Sequence, residues 1–181
     1  MFRKILRPFL RFLLSCFFEE KYLRGRYFTE NYIGYGWALK SIWLRNVLRI
    51  YRPVGIPISS SCIVSNHKNM IFHPDDLHIF QVPGVYYQNF DAKIVIGKGS
   101  YIAPNVGIIT ANHNLVDLDL HSPGKDVVLG ENCWVGMNSM ILPGVVLGPR
   151  TVVAAGAVVT KSFIEGDVVL AGVPAVVVSE N

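Results

Sequence analysis

Two histidines, His113 and His121, lie in a segment that interrupts a regular sequence pattern. The segment reads ANHNLVDLDLHSPGKD and runs from Ala111 to Asp126. A neutral imidazole takes up a proton near neutral pH, so either histidine could act as a general base. Asp117 and Asp119 could orient a histidine or bind sugar hydroxyls. The alternative is a structural loop, with the histidine bonded to the backbone and both carboxylates solvated.

Three further histidines raise the question of a metal site. They are His67, His73 and His78, with Asp75 and Asp76 beside them. Their spacing is not that of a common metal site, and Pro74 would interrupt any helix between them. The 3 cysteines form no CxxC pair, and an odd, sparse count suits a reduced cytoplasm. We therefore predict a cytoplasmic protein without a bound metal.

The pattern around the histidine segment is a branched apolar residue at every sixth position. These anchors are Ile96, Ile102 and Ile108, and then Leu129, Val135, Ile141, Leu147, Val153 and Val159. A period of six fits neither a helix, which repeats every 3.6 residues, nor a flat strand, which repeats every two. Most anchors are followed by a small residue, and Asn, Gly and Pro stand between them. Each hexad therefore predicts a short strand and a corner, and stacked hexads predict a β-solenoid.

The N-terminal part of the chain differs from the rest in charge and in pattern. Residues 1–52 contain 11 of the 17 Lys and Arg residues but only 3 of the 13 Asp and Glu residues. Residues 1–18 place basic and Phe/Leu side chains on opposite arcs of a helix, which Pro8 should kink or delay. A second helix is expected within residues 34–58. The first helix either binds an anionic membrane surface or packs on its own domain or a neighbouring subunit.

Composition and length bound the architecture. Apolar residues make up 51% of the 181 residues, yet no uninterrupted apolar run is long enough to span a bilayer. The length suits one domain with a sizeable core. We divide the chain into a basic, aromatic helical segment, 1–55, and a solenoid domain, 56–178, with a looped-out segment at 112–126. A peripheral position at the inner membrane follows if the first helix binds lipid.

Four stretches carry a resemblance to a known family. They are IGKGSYIAPNVGI, VLGENCWVGMNSMILPGVVLG, VVAAGAVVTK and LAGVPA, in that order within residues 90–177. This half of the chain resembles the hexapeptide-repeat acyltransferases, in the branch of maltose/galactoside-type and polysaccharide O-acetyltransferases. The resemblance implies an all-β fold, a left-handed parallel β-helix of triangular section. It also implies a homotrimer with active sites between subunits, and acetyl-CoA as the acetyl donor.

The same resemblance implies roles for individual residues. His113 stands where the family has its catalytic histidine, and Trp134 stands where related sugar acetyltransferases carry a tryptophan beside the acceptor. Ala155, Thr160 and Lys161 stand where relatives contact the pantetheine and phosphates of CoA. Asn89 lies near the stretch that supplies an acceptor-binding asparagine, though outside a matching motif, and Asp117 is a further acceptor-binding candidate.

The sequence departs from the family pattern at one point. The family often has Lys or Arg after its GxPA motif, for the CoA phosphates, but this chain has Val176, followed by two more valines. Arg150 is a candidate to compensate for the missing cation.

The residues and the resemblance together predict an enzyme. The expected reaction is O-acetylation of a bacterial surface polysaccharide (capsule, O-antigen or exopolysaccharide) or its lipid-linked precursor, with His113 as general base. A small-molecule acceptor, such as a free sugar, serine or an antibiotic, is the first alternative. A solenoid scaffold without catalysis is the second. No nucleic-acid partner is expected.

Overall fold

A computed structural model describes residues 2–180, with side chains described from residue 7 onward. Within residues 2–180, fourteen short strands form a three-sided solenoid behind a helical N-terminal segment. The strands are β1 (Ile63–Val64), β2 (Met70–Phe72), β3 (Tyr86–Gln88), β4 (Ile94–Ile96), β5 (Tyr101–Ile102), β6 (Gly107–Ile109), β7 (Val127–Leu129), β8 (Trp134–Val135), β9 (Met140–Ile141), β10 (Val146–Leu147), β11 (Val152–Val153), β12 (Val158–Val159), β13 (Val168–Gly172) and β14 (Ala175–Glu180).

The strands form three sheets, which are the three faces of the solenoid. Face 1 is ordered β1-β3-β6-β9-β12, face 2 is β2-β4-β7-β10, and face 3 is β5-β8-β11-β13-β14. All pairs are parallel except β13 with β14, which are antiparallel. From β3 to β12 the chain thus visits face 1, face 2 and face 3 in turn, whereas in the first coil it passes from β2 on face 2 to β3 on face 1 through the 3₁₀ helix Pro74–Phe80. We call the corner where it passes from face 1 to face 2 the 1–2 edge.

The period of six becomes a period of 18 in space. Leu129 pairs with Leu147 on face 2, and Ile141 pairs with Val159 on face 1, in each case 18 residues away. Three hexads therefore make one coil. All nine anchors have 4% or less of their surface exposed, because they point into the solenoid and stack on one another. The predicted parallel solenoid is confirmed, and its left-handed sense stays a prediction of the resemblance.

Looping out of residues 112–126 leaves the coils in register. Ile96 pairs with Leu129 across this segment, 33 residues away instead of 18. The strands stop at Ile109 and resume at Val127, so the extra residues leave the solenoid at the 1–2 edge.

The corners of the coils require unusual backbone conformations. Asn105, Asn132 and Asn138 have positive φ values of 59°, 57° and 60°, a conformation that asparagine tolerates better than most residues. Gly97, which follows an anchor, allows close approach of two coils: a Cβ there would lie 2.4 Å from the backbone of Gly130. This contact explains why the residue after an anchor is often glycine.

The N-terminal segment contains three α-helices, α1 (Phe2–Ser15), α2 (Arg26–Thr29) and α3 (Ile33–Ile42). Pro8 lies inside α1, which begins at Phe2 and is therefore not delayed to the proline. The predicted second helix is α3, extended by a π-helical turn over Trp43–Val47. The α-helices and the π-helical turn thus end before β1, and the proposed boundary at residues 55 and 56 falls between them; two 3₁₀ helices, His67–Asn69 and Pro74–Phe80, lie in the first coil.

The helical segment and the first coils share one hydrophobic core. Leu23 and Phe28 of the segment are buried in the same cluster as Leu77, Ile79 and Phe80, which precede β3. The segment therefore packs on its own solenoid, but the predicted Phe/Leu arc of residues 1–18 does not, because Phe9, Phe12 and Leu13 are 56%, 68% and 43% exposed. Leu14 and Phe18 make that packing, with 5% and 4% of their surface exposed.

Candidate active site

The looped-out segment folds as a small antiparallel hairpin at the 1–2 edge. The backbone N–H of Asn114 donates to Leu120 (2.9 Å), and that of Ser122 donates to Asn112 (2.9 Å). His113 and His121 face each other across this hairpin, with ring centroids 4.4 Å apart. The structure therefore brings together the two histidines that compete for the role of base.

A backbone carbonyl orients the ring of His113. Its Nδ1 lies 2.7 Å from the carbonyl oxygen of Leu118. A carbonyl oxygen can only accept, so Nδ1 carries the proton and the lone pair of the neutral ring lies on Nε2. The side chain is exposed, so Nε2 is available to a substrate hydroxyl. This is the tautomer and the accessibility that a general base needs.

The carboxylate of Asp117 stabilises the hairpin itself. Oδ1 of Asp117 accepts from the backbone N–H of Asp119 (3.0 Å), and the N–H of Asp117 donates to Asn114 (3.3 Å). The partner that holds His113 is thus the Leu118 carbonyl and not Asp117 or Asp119. Leu118 acts through its backbone, so its side-chain type carries no signal in the sequence.

Trp134 lies on the outside of face 3, with 56% of its surface exposed. Its strand neighbour is Tyr101, which is 55% exposed and forms a pair of outward aromatic rings with it. Sequence reasoning missed Tyr101, although it precedes the anchor Ile102 just as Trp134 precedes Val135. Two neighbouring exposed rings are a surface suited to stacking against a sugar or another flat group.

The proposed donor residues lie at two different edges of the solenoid. Thr160 and Lys161 follow β12 and are exposed at the 1–2 edge, where the hairpin also leaves. The Lys161 ammonium stands 5.5 Å from the ring centroid of Phe163. Ala155, also exposed, lies between β11 and β12, at the corner of faces 3 and 1.

These positions decide which candidates can meet within one subunit. The 1–2 edge, with His113, Thr160 and Lys161, lies opposite face 3, with Trp134. The solenoid core separates them. A site that uses both His113 and Trp134 must therefore take them from two subunits.

The side chain of Asn89 is used inside the fold. It is fully buried, its Oδ1 accepts from the backbone N–H of Asn66 (3.0 Å), and its Nδ2 donates to the Asn66 carbonyl (2.7 Å). This geometry favours a structural role, because both polar groups are already paired. We therefore leave Asn89 out of the acceptor contacts proposed below.

Arg150, the candidate to replace the missing Lys or Arg of the family, forms an ion pair with Asp167. Arg150 donates to both carboxylate oxygens of Asp167, at 2.5 Å each. Val176 and its two neighbours lie on β14, outward and about half exposed. The structure gives Arg150 a local ion pair, which weakens its candidacy as a CoA phosphate ligand.

Each of the other three histidines contacts a different partner. His73 stands 3.5 Å from a carboxylate oxygen of Asp75, His67 stands 3.8 Å from Glu19, and the ring of His78 packs 4.6 Å from that of Tyr101. Within the described part of the chain, no group of three or more His, Cys, Asp or Glu side chains is arranged to hold a metal ion.

The match to a known protein family falls on the repeat. The family described as "Bacterial transferase hexapeptide (six repeats)" matches residues 126–161, which contain six of the nine anchors. These coils match the hexapeptide repeat of bacterial transferases. The resemblance to this family in sequence is thereby confirmed for the solenoid.

Curated relatives of this hexapeptide-repeat protein share its solenoid half. A galactoside O-acetyltransferase of Escherichia coli K12 is 38% identical over 105 residues, which are 52% of this chain and 51% of that protein. A putative lipopolysaccharide biosynthesis O-acetyltransferase of the same organism is 30% identical over 125 residues, 62% of each protein. The chain spans about half the length of the first curated relatives it matches, 45 to 54%.

A solved structure agrees with the fold. A hexapeptide-repeat-containing acetyltransferase from Vibrio cholerae superimposes with a TM-score of 0.50 and 28% identity, over 62% of this chain and 59% of the other. None of the helices within residues 2–180 combines the length and the apolar character that crossing a membrane requires.

Proposed function

We propose that this hexapeptide-repeat protein is an acetyl-CoA-dependent O-acetyltransferase that acts on a bacterial surface polysaccharide or its lipid-linked precursor. The observation that carries the proposal is the state of His113. Its Nδ1 is held by the Leu118 carbonyl at 2.7 Å, and its Nε2 is open to a substrate at the edge of a transferase solenoid. Relatives named as galactoside and lipopolysaccharide O-acetyltransferases support the reaction class.

In the proposed reaction, His113 Nε2 takes the proton of a sugar hydroxyl as the hydroxyl oxygen attacks the thioester carbonyl. The tetrahedral oxyanion then collapses and expels the CoA thiolate, which receives the proton from the His113 imidazolium. The products are an O-acetyl ester and CoA with a free thiol. A positioned base of this kind contributes about 10²- to 10⁴-fold to a rate.

We place the acetyl-CoA along the later coils. Lys161 at the 1–2 edge supplies a cation for the CoA phosphates, and Thr160 beside it supplies a hydroxyl. Ala155 at another edge allows close approach of the pantetheine to the backbone. Since Ala155 and Trp134 lie away from His113 in one subunit, the complete site forms between subunits of a homotrimer.

The polysaccharide acceptor is favoured over a small molecule by the helical segment. Such acceptors are built at the inner leaflet, which is anionic and attracts basic segments. The free-sugar alternative has support from the galactoside O-acetyltransferase relative, so the test includes free sugars. Serine or an antibiotic, and a scaffold without catalysis, have no such support.

Release of CoA thiol from acetyl-CoA tests the function. Purified protein is incubated with bacterial polysaccharides and with free sugars such as lactose, beside His113→Ala and His121→Ala. We expect thiol release that depends on a polysaccharide and falls at least 100-fold in His113→Ala. Equal rates in wild type and His113→Ala would remove His113 as the base, and circular dichroism controls for folding.

Membrane contact forms part of the proposal and is supported by two exposed apolar stripes. On α1, Phe9, Phe12 and Leu13 are 56%, 68% and 43% exposed, with Arg7 and Arg11 on the same helix. The basic side chains of residues 3 and 4, which the sequence placed on the charged arc, lie outside the described side chains. Apolar side chains flanked by cations are the pattern of an interfacial helix.

The second stripe runs along α3 and its π-helical extension and ends at Ile50, just beyond them. Its members are Leu39, Trp43, Val47 and Ile50, each 56 to 60% exposed. No acidic residue stands between Glu30 and Asp75, so the field around this stripe is positive. The Arg7 guanidinium stacks 3.8 Å from the ring centroid of Tyr32, directly before α3, and so links the two stripes.

Sedimentation with vesicles tests the contact. We expect the protein to bind vesicles that contain phosphatidylglycerol more strongly than phosphatidylcholine vesicles, and less strongly at high salt. Phe12→Ser with Trp43→Ser should reduce binding, whereas Val176→Ser with Val178→Ser, exposed at the far end of the solenoid, should not. Substitution is preferable to deleting residues 1–18, because deletion would remove the buried Leu14 and Phe18.

A further inference from the structure

A cleft opens where the helical segment meets the first coils. Its volume of about 490 Å³ lies within the usual range of ligand sites, about 300–1,000 Å³. It is lined by Arg52, Pro53, Val54, Ser65, Asn66, His67, Lys68 and Phe90. The proposed acetyl transfer assigns no role to these residues.

The cleft is positively charged. Arg52 and Lys68 line it, and no carboxylate does so among the residues that the structure describes. The Glu19 carboxylate lies 3.8 Å from His67 Nε2, and Lys21 pairs with that carboxylate at 2.8 Å. Burial lowers the pKa of His67, Glu19 opposes the shift, and the charges of Lys68, Lys21 and Arg52 add to it. The cleft therefore suits an anion.

The walls of the cleft are held in place by asparagines. Asn69 Nδ2 donates to the carbonyl of Phe90 (2.9 Å), and Asn66 Nδ2 donates to the same oxygen (3.4 Å). The buried side chain of Asn89 clamps the Asn66 backbone from both sides. Asn89 thus positions a wall of the cleft, which gives a pre-organised surface for a ligand.

The cleft leads to the candidate base. Phe90, which is 46% exposed, lies 6.1 Å from the ring of His121, and His121 lies 4.4 Å from His113. The sheet register explains this proximity. The connections β1 to β2 and β3 to β4 both turn at the 1–2 edge, as does the hairpin after β6.

The order of coils along this edge separates the cleft from the donor residues. Face 1 stacks β1, β3, β6, β9 and β12, so the His113 hairpin after β6 has the cleft on one side and Lys161, after β12, on the other. Acetyl-CoA held at Lys161 would reach the hairpin from the later coils. The cleft on the earlier coils is then free for the acceptor.

We propose that this cleft binds the anionic group of a negatively charged sugar acceptor, with Arg52 and Lys68 contacting the anion and Phe90 stacking on the sugar. This rests on the proposed acetyltransferase function and names its acceptor class. The anion is either a phosphate at the reducing end of a precursor or a uronic acid carboxylate within the glycan. Both are bound by a cation pair through charge-assisted hydrogen bonds.

Binding of matched sugars tests the proposal without any turnover. Glucose, glucose 1-phosphate and glucuronic acid are titrated into the protein, and affinity is followed by NMR chemical shifts. We expect at least one of the two anions to bind at least tenfold more tightly than glucose. Arg52→Gln with Lys68→Gln should abolish that preference, and Lys40→Gln, an exposed cation on α3, should keep it. The preferred anion distinguishes the phosphate from the carboxylate.

Three results would overturn the assignment. Glucose could bind as tightly as both anions, the preference could survive in Arg52→Gln with Lys68→Gln, or that variant could lose affinity for CoA instead of the sugar. Arg52→Lys, which keeps the charge, should retain most of the preference and so excludes a folding defect. If wild type releases no CoA thiol with any acceptor but keeps the preference, the acetyltransferase proposal fails and the anion site stands.

Discussion

The Leu118 carbonyl gives His113 a defined tautomer without a carboxylate partner. A neutral acceptor fixes Nδ1 as the donor but does not stabilise the imidazolium as a negative charge would. In the proposed reaction the His113 imidazolium returns the Nε2 proton to the departing thiolate. The orientation of the His113 ring is thus set by a backbone atom and not by a side chain.

The half-buried His78 should make the stability of the protein depend on pH. Burial lowers the pKa of His78, the charge of Asp76 opposes that shift, and the charge of Arg26 adds to it. Below pH 6.5 the unfolded chain binds a proton that the folded chain resists, so the contribution of His78 is present at neutral pH and is lost on acidification.

We expect the melting temperature to fall between pH 7.5 and pH 5.5, and to fall less in His78→Phe, which keeps a ring against Tyr27 and Tyr101. Differential scanning calorimetry at both pH values measures this. If the melting temperatures of His78→Phe and His78→Gln both fall as far as that of the wild type, the titration of His78 makes no contribution to the pH dependence of stability.

At the scale of elements, the corners limit which residues a coil accepts. A Cβ on Gly97 would stand 2.4 Å from backbone atoms of the next coil, which cannot move without breaking the ladder. Gly36, in the middle of α3, has nothing within 4 Å of the same position. Replacing glycine by alanine at each of these two positions therefore distinguishes a glycine required for close packing from one that only makes the chain flexible.

We expect Gly97→Ala to destabilise the protein by about 3 kcal/mol or more, as a backbone clash does. Gly36→Ala should stabilise it by about 0.5–1 kcal/mol, because alanine is the better helix former. Urea denaturation of both variants beside wild type gives the two free energies. A loss of similar size at both positions would contradict the coil-contact explanation.

The helical segment is fastened to the solenoid by a buried arginine. The Arg45 guanidinium donates to the carbonyls of Arg52 (2.8 Å) and Ser59 (3.0 Å). Burial lowers its pKa, although the side chain keeps three backbone acceptors within reach, including Cys62. This fastening fixes the wall of the anion cleft that contains Arg52.

On the scale of the whole molecule, the three faces assign the candidate residues to different sides of one subunit. His113 lies at the 1–2 edge and Trp134 on the opposite face, so a shared site needs two chains. In a cyclic trimer each interface would then take His113 from one chain and Trp134 from the next.

Mixed trimers test that arrangement. We expect His113→Ala and Trp134→Ala to be inactive alone, and to recover activity when refolded together in equal amounts. Random assembly leaves about a quarter of the interfaces with both native residues. Mixtures with no more CoA thiol release than the separate variants would mean that the two residues do not share an intersubunit site.

The sequence by itself determined the solenoid, because its period is a local property that repeats. Nine anchors at six-residue spacing predicted nine buried positions, and an interruption of the period predicted the looped-out segment. The sequence proposed His113 as the base for the same reason, since it stands where the period breaks, and that role stays a prediction. The exposed apolar side chains of α1 also follow from helical spacing alone.

Only the tertiary structure decided which residues share an edge. Asn66, Phe90, His113 and Lys161 are distant in sequence and stack at the 1–2 edge because coils repeat every 18 residues, with insertions of unequal length. The role of Asn89 depends on a backbone partner 23 residues away, and that of His113 on the Leu118 carbonyl. Such contacts use backbone atoms, which every residue has, so side-chain patterns cannot reveal them.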